Sequence, residues 1–219
     1  MVSLMEVTQA RIREAADVLA VAMLDDGFGQ YLAPDPDERL TINRAYYAEL
    51  IGLAISEGRV NAWGDPIVGV AVWLERPAVA DGDHRSALTV PAFEAPALLA
   101  PDVASRVERF GAVIRQLRER ARPDRHAYLD SIGVLPDHRR RGIATRLLAA
   151  GHAWADGAGL PCALDTVTDE DVEFYQRRGY RIVSVAQVPG SGLRITAMRR
   201  QEVGPGPGSE PTFDLRARH

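Results

Sequence analysis

Three arginines and a glycine, Arg139-Arg140-Arg141-Gly142, stand between an apolar run and a helical pattern. Guanidinium groups stay charged and carry paired N–H donors that match phosphate oxygens. Leu129 to Val134 is a short apolar run with β-branched residues, bounded by Pro136, and it predicts a buried strand. From Gly142 onward Ile143, Leu147 and Leu148 recur at helical spacing. The first-turn N–H groups of a helix have no intrahelical acceptor, and the helix dipole favours an anion beside them. Gly142 lets a ligand reach the backbone, because no Cβ intervenes. Strand, basic turn and helix start together predict a place for phosphate.

The segment Arg139-Arg140-Arg141-Gly142-Ile143-Ala144 resembles the acyl-CoA motif of the GNAT superfamily of N-acetyltransferases. That motif is Arg or Gln, two residues, Gly, one residue, then Gly or Ala. The preceding Gly133-Val134-Leu135-Pro136 also looks like the family. Taken alone, the arginine run is equally a surface cluster on an ordinary helix start. A second signature argues for the family: Glu173-Phe174-Tyr175-Gln176-Arg177-Arg178-Gly179-Tyr180 resembles its Tyr-bearing helix followed by Gly and an aromatic residue. The resemblance covers nearly all of residues 2–200. Within the superfamily the chain is most similar to puromycin N-acetyltransferase-type enzymes, over Val68–Trp73, Gly133–His138, Leu164-Asp165-Thr166, Phe174-Tyr175 and Gly179-Tyr180.

The resemblance implies an acyltransferase with acetyl-CoA as cosubstrate. An acetyl group passes to a primary amine of a small molecule by direct attack in a ternary complex. Arg139, Arg140, Arg141, Gly142, Ile143, Ala144 and Thr145 would hold the pyrophosphate. The main chain of Ile132, Gly133 and Val134 would polarise the thioester carbonyl, since a fixed donor at that oxygen stabilises developing charge. Tyr175 would protonate the leaving thiolate, and its reference pKa of about 10 keeps it protonated. Its alternative is a core aromatic, a role that Phe174 fills as well.

Asp130 and Asp165 are the candidate bases or amine-orienting groups. A reference value of about 3.9 is too low for a base unless burial raises it. Period-two alternation predicts that Asp130, Ile132 and Val134 share one face of the strand. Asp165 stands where the puromycin-type enzymes carry Glu. Each carboxylate could instead serve the nearby backbone. His126 and His138 are expected to be bystanders. The stretch Thr168-Asp169-Glu170-Asp171 departs from the family, which commonly has Asn there; its carboxylates are expected to cap the helix and face solvent. Two other readings stay open: acetylation of a protein or peptide, and an acyl-CoA sensor without catalysis.

The elements that must position these residues follow from periodicity and punctuation. A strand is expected within residues 2–8 and a helix over 10–24, ended by Gly27 and Gly29. Asp37 is a candidate cap for a second helix running to about Ser56, with Ile42, Tyr46, Leu50 and Leu53 as its apolar stripe. Arg59–Trp63 and Ile67–Leu74 read as a hairpin around Gly64-Asp65-Pro66. A Pro/Gly/Asp loop over 76–85 and two helical patterns over 91–121 form an insert before the central strand. The central strand (126–135), helix (142–156), strand (162–167), helix to Arg177 and two strands (180–187, 193–198) complete the order. This predicts an α/β fold with a mixed sheet; the resemblance implies that the sheet is central, mostly antiparallel and flanked by helices. The expectation is one domain over 1–200 and a flexible tail over 201–219.

Composition narrows the classes. With 219 residues, 46% hydrophobic and 26% charged, the chain suits one globular domain. A net charge of −4 gives no basic field for nucleic acid. All 26 basic residues are Arg, so a Walker-type loop with its Lys is excluded. One cysteine, Cys162, forbids an internal disulfide and reads as a small buried hydrophobe. No Cys/His set has metal spacing. No signal peptide or apolar run of about 18 residues is visible, which predicts a cytoplasmic protein with no membrane partner. A homodimer is left open.

Overall fold

The computed structural model describes residues 3–77, 101–121 and 125–200. Strand β1 (Leu4–Glu6) leads into helix α1 (Ile12–Ala22), then α2 (Gly27–Leu32) and α3 (Pro36–Glu57). Strands β2 (Gly58–Trp63) and β3 (Gly69–Arg76) form the expected hairpin. After α4 (Pro101–Ala121) come β4 (His126–Val134), α5 (Ile143–Gly157), β5 (Cys162–Thr166), α6 (Asp169–Gln176), β6 (Arg181–Gln187) and β7 (Arg194–Arg200). The first helical pattern of the insert, most of the 76–85 loop and the 201–219 tail lie outside the described residues.

Seven strands make one sheet in the order β1-β2-β3-β4-β5-β7-β6. Only β4 and β5 run parallel, and α5 is their crossover; every other neighbouring pair is antiparallel. The apolar β3 is buried along almost its whole length, as both-face coverage requires. On one face α1 and α3 pack through Ala15, Leu19, Leu50 and Ile51 against Val60, Val70 and Val72. Beyond them α4 covers β7 through Ile114 and Leu117 against Ile195. On the other face α5 and α6 bury Leu147, Leu148 and Tyr175 against Trp73, Leu129, Leu164 and Met198. Among the described residues no helix is long and apolar enough to cross a membrane.

Three local expectations are corrected. Gly27 and Gly29 do not merely end α1; they begin α2, whose N-cap Asp26 accepts from the N–H groups of Phe28 and Gly29. The cap of α3 is Asp35, not Asp37: Asp35 accepts from Asp37 N and Glu38 N, and Pro36 takes the first helical position, where its missing N–H costs nothing. The fully buried stripe of α3 is Tyr47, Leu50, Ile51 and Ala54. It is rotated from the predicted one, which leaves Tyr46 on the flank of the helix.

Candidate active site

The turn after β4 is built as a cradle of main-chain N–H groups. Arg140 has φ 61° and Gly142 has φ 76°. A left-handed arginine is an uncommon conformation for an L-residue, of the kind that concentrates at functional sites. Gly142 is the N-cap of α5 and offers no side-chain oxygen, and the first turn of α5 contains no acidic residue. Its leading N–H groups therefore face outward without a side-chain acceptor. Arg140, Arg141 and Thr145 are exposed beside them, while Ile143 is buried and anchors the turn in the core. Ala144, half-buried, packs at its edge.

Arg139 behaves differently from its neighbours. Its guanidinium donates to Val134 O at 3.2 Å and to Ala22 O at 2.9 Å. That side chain ties the turn to the end of α1, so its contribution to the cradle is position more than direct charge.

Beside the cradle, β4 and β5 part. Their parallel register holds at Ala127–Cys162, Tyr128–Ala163 and Leu129–Leu164 and stops there. On its other edge β4 stays paired with β3 through Val134. Among the described residues, the β5-facing edge of β4 beyond Leu129, along residues 132–134, has no strand partner. Gly133 packs closely on α1, where an added Cβ would come within 2.8 Å of Ala22 Cβ.

The expectation that Asp130, Ile132 and Val134 share a face fails, for a clear reason. The register with β3 jumps from Val72–Ser131 to Trp73–Leu129, so Asp130 is an extra residue in β4. The bulge breaks the alternation. Leu129, Ile132 and Val134 all join the core under α5, while Asp130 turns to the opposite face. There Tyr46 Oη, from α3, donates to Asp130 Oδ1 at 3.3 Å, and Ser131 Oγ donates to the same oxygen at 3.0 Å.

Asp165 joins that face. Cys162 and Leu164 point into the core under α5, so alternation turns Ala163 and Asp165 the other way. Tyr128 Oη donates to Asp165 Oδ2 at 3.0 Å. Asp26 and Tyr47 stand close by, lining with Tyr46 a concavity between α1, α2 and α3. Burial raises the Asp26 carboxyl above the ordinary carboxylate value, against the pull of its two N–H donors, and the charge of Asp171 adds to the rise. Sequence reasoning missed Asp26, Tyr47, Tyr128 and Ser131 as site neighbours. The adjacent pair Tyr46-Tyr47 was the one available signal, and it reads equally as helix core.

Tyr175 approaches from the α6 side. It is 7% exposed, and its ring packs edge-on against Phe174 and Tyr180. Its hydroxyl makes no hydrogen bond among the described residues. Burial pushes the phenol well above its usual value, Asp171 adds to this, and Arg178 opposes it. The hydroxyl therefore keeps its proton at neutral pH. The expected carboxylate cap is corrected: the N-cap of α6 is Thr168, which accepts from Asp171 N at 3.1 Å. Asp169 pairs with Arg194, and the half-buried Asp171 carboxylate accepts from the hydroxyls of Thr166 and Thr168. His126 is buried at the far start of β4, away from the splayed end.

A glycine-capped helix start after a splayed strand, with a buried tyrosine helix downstream, agrees with the sequence match: residues 22–180 fit the family model described as Acetyltransferase (GNAT) family. The chain belongs to that family. It is an acyltransferase, and acetyl-CoA is its donor. This GNAT acetyltransferase shares its fold with solved relatives of low identity. A protein from Corynebacterium glutamicum, described as histone acetyltransferase HPA2 and related acetyltransferase, is 21% identical with a TM-score of 0.65, covering 94% of this chain and 98% of its own. The polyamine N-acetyltransferase of Drosophila melanogaster is 13% identical with a TM-score of 0.62, covering 92% and 100%. An N-acetyltransferase of Thermoplasma acidophilum, solved with coenzyme A, is 11% identical with a TM-score of 0.55, covering 92% and 99%.

Proposed function

We propose that this acetyltransferase acts on the primary amine of a small molecule that carries positive charge, by direct attack within a ternary complex. The observation that carries the reading is the pair Asp130 and Asp165, each holding a tyrosine hydroxyl on the α3 face where β4 and β5 separate. Carboxylates beside a cleft attract an ammonium group and orient it, and a partly desolvated cleft strengthens that attraction. The Drosophila relative is named for polyamines, which is compatible with such a site. The narrower likeness to puromycin-type enzymes rests on the sequence segments alone.

Acetyl-CoA supplies the acetyl group as an activated thioester. The turn from Arg140 to Thr145 holds its phosphates through main-chain N–H groups and exposed guanidinium charge. A main-chain N–H among Ile132, Gly133 and Val134, on the unpaired edge of β4, donates to the thioester oxygen as negative charge grows there. Asp165 binds the acceptor's charge; Asp130, braced by Tyr46 and Ser131, supports it. The attacking nitrogen must be neutral, because an ammonium has no lone pair, and its proton leaves through water. Tyr175 gives its proton to the departing thiolate.

The test is acetyl-CoA turnover with a panel of amines, read by thiol release and mass spectrometry of the product. Polyamines, guanidine-bearing amines, neutral arylalkylamines and an N-terminal peptide form its arms. Acetylation of the cationic small amines with the highest kcat/KM is the expected result. Preference for the peptide would move the function to protein acetylation, and preference for the neutral amines would remove the role of the carboxylates.

A further inference from the structure

We infer that Arg178 is a phosphate-binding residue of the acetyl-CoA site, reaching the pyrophosphate position from the end of α6. Its Nη2 donates to Thr145 Oγ1 at 2.7 Å, in an exposed contact at the first turn of α5. Its Nη1 donates to Phe174 O at 2.6 Å, and the guanidinium lies over the Phe174 ring, 3.5 Å from its centroid. A side chain with many rotamers is thus fixed in one pose by three contacts from two elements.

At its Nη2 end that pose sets a cation against the start of a helix. The N-terminal end of a helix carries partial positive charge and repels a cation. Arg140 and Arg141 are close by in sequence and exposed, and α5 has no acidic residue in its first turn. Among the described residues Arg178 has no carboxylate partner, and its buried Nε–H has no acceptor. Arg178 thus brings positive charge to the first turn of α5, and a phosphate group there balances it.

Thr145 explains why the pyrophosphate is the target. It is the third residue of α5, in the turn whose N–H groups point outward. Its hydroxyl has one proton. By accepting from Arg178, Thr145 is left to donate that proton to an anion. Arg178 therefore acts twice, by its own charge and by orienting Thr145. Aromatic stacking keeps the guanidinium plane in place, which a lysine could not reproduce.

The inference rests on acetyl-CoA being the donor, so wild-type binding of CoA by calorimetry is the first control. Arg178→Ala should weaken CoA and dephospho-CoA alike by about tenfold, the scale of one charge-assisted hydrogen bond. Pantetheine binding should be unchanged, and the salt dependence of CoA binding should become shallower. Arg178→Lys should recover part of the affinity, and Thr145→Val should resemble Arg178→Ala more weakly. Circular dichroism and Tm establish that each variant is folded. A loss confined to CoA would move Arg178 to the 3′-phosphate and overturn the pyrophosphate assignment. Equal weakening of pantetheine, or a fall in kcat at saturating acetyl-CoA with KM unchanged, would reduce Arg178 to an anchor for α6 and overturn the inference.

Discussion

Tyr128 Oη and Asp165 Oδ2 meet at 3.0 Å across β4 and β5, at the place where the two strands cease to pair. The hydroxyl bond orients the carboxylate there. A second tyrosine, Tyr46, does the same for Asp130 from α3. In the proposed function these two carboxylates, oriented by tyrosines, serve charge recognition and not proton abstraction.

The first prediction separates these two carboxylates. Asp165→Asn should raise the KM of a cationic amine about tenfold or more, because a hydrogen bond to a charged group is worth about 1.5–3 kcal/mol. Its effect on kcat should be smaller, since binding lost equally from ground and transition state appears in KM. Tyr128→Phe should shift KM in the same direction by less. Asp130→Asn should leave the acidic limb of the kcat/KM profile in place. An acidic limb abolished by Asp130→Asn, with circular dichroism unchanged, would make Asp130 the base.

A second prediction concerns the cradle. Space around Gly142 is open to an added Cβ, so its φ of 76° is what requires glycine. Gly142→Val should therefore strain the turn locally without disturbing the core. CoA should raise the Tm of the wild-type chain, and pantetheine should raise it less. In Gly142→Val the CoA-dependent rise should vanish while the unliganded Tm falls by only a few degrees, the scale of about 1 kcal/mol. Equal protection of the wild type by pantetheine and CoA would contradict phosphate binding at this turn.

Tyr175 supplies the third. Replacing it by Phe keeps the ring that packs against Phe174 and Tyr180 and removes only the proton donor. Acting as general acid, it should cost about 10²-fold or more in kcat. Affinity for acetyl-CoA should change little, because the proton is needed only as the thiolate leaves. An unchanged kcat would return Tyr175 to the role of a core aromatic.

Much of this architecture was legible in the residues, and the rest was not for identifiable reasons. Apolar period, glycine and proline marked β4, α5, β5 and α6 within a residue or two, because each signal is local. The bulge at Asp130 could not be read, since it exists only in the register between β4 and β3. Alternation therefore grouped Asp130 with Ile132 and Val134. Tyr46 and Asp130 are 84 positions apart, and no local pattern links them. Arg139 was read as phosphate-gripping charge like its neighbours; only the position of Ala22 O reveals that its side chain is used within the fold. The cap of α3 was misread because Asp35 and Asp37 flank Pro36 and either can be an N-cap by type.

The last prediction comes from the face of the sheet away from the carboxylates. His152, on α5, lies edge-on to Trp73 and has Nε2 3.0 Å from Tyr180 Oη. Burial, with the charges of Arg200 and Arg178 and against that of Asp156, lowers its pKa from 6.5 to about 4. The native chain therefore refuses a proton that the unfolded chain accepts. Above pH 6.5 both states are neutral at this group, and its contribution is fully present. As pH falls from 6.5 toward about 4 the unfolded state gains protons first, so stability falls, and below about 4 this contribution levels off. His152→Gln keeps a polar acceptor for Tyr180 and cannot titrate. The difference in Tm between wild type and variant should shift against the wild type across that window, while carboxylate titrations common to both cancel. Parallel Tm curves from pH 7 to pH 4 would mean that His152 accepts its proton in the native chain as readily as in the unfolded one.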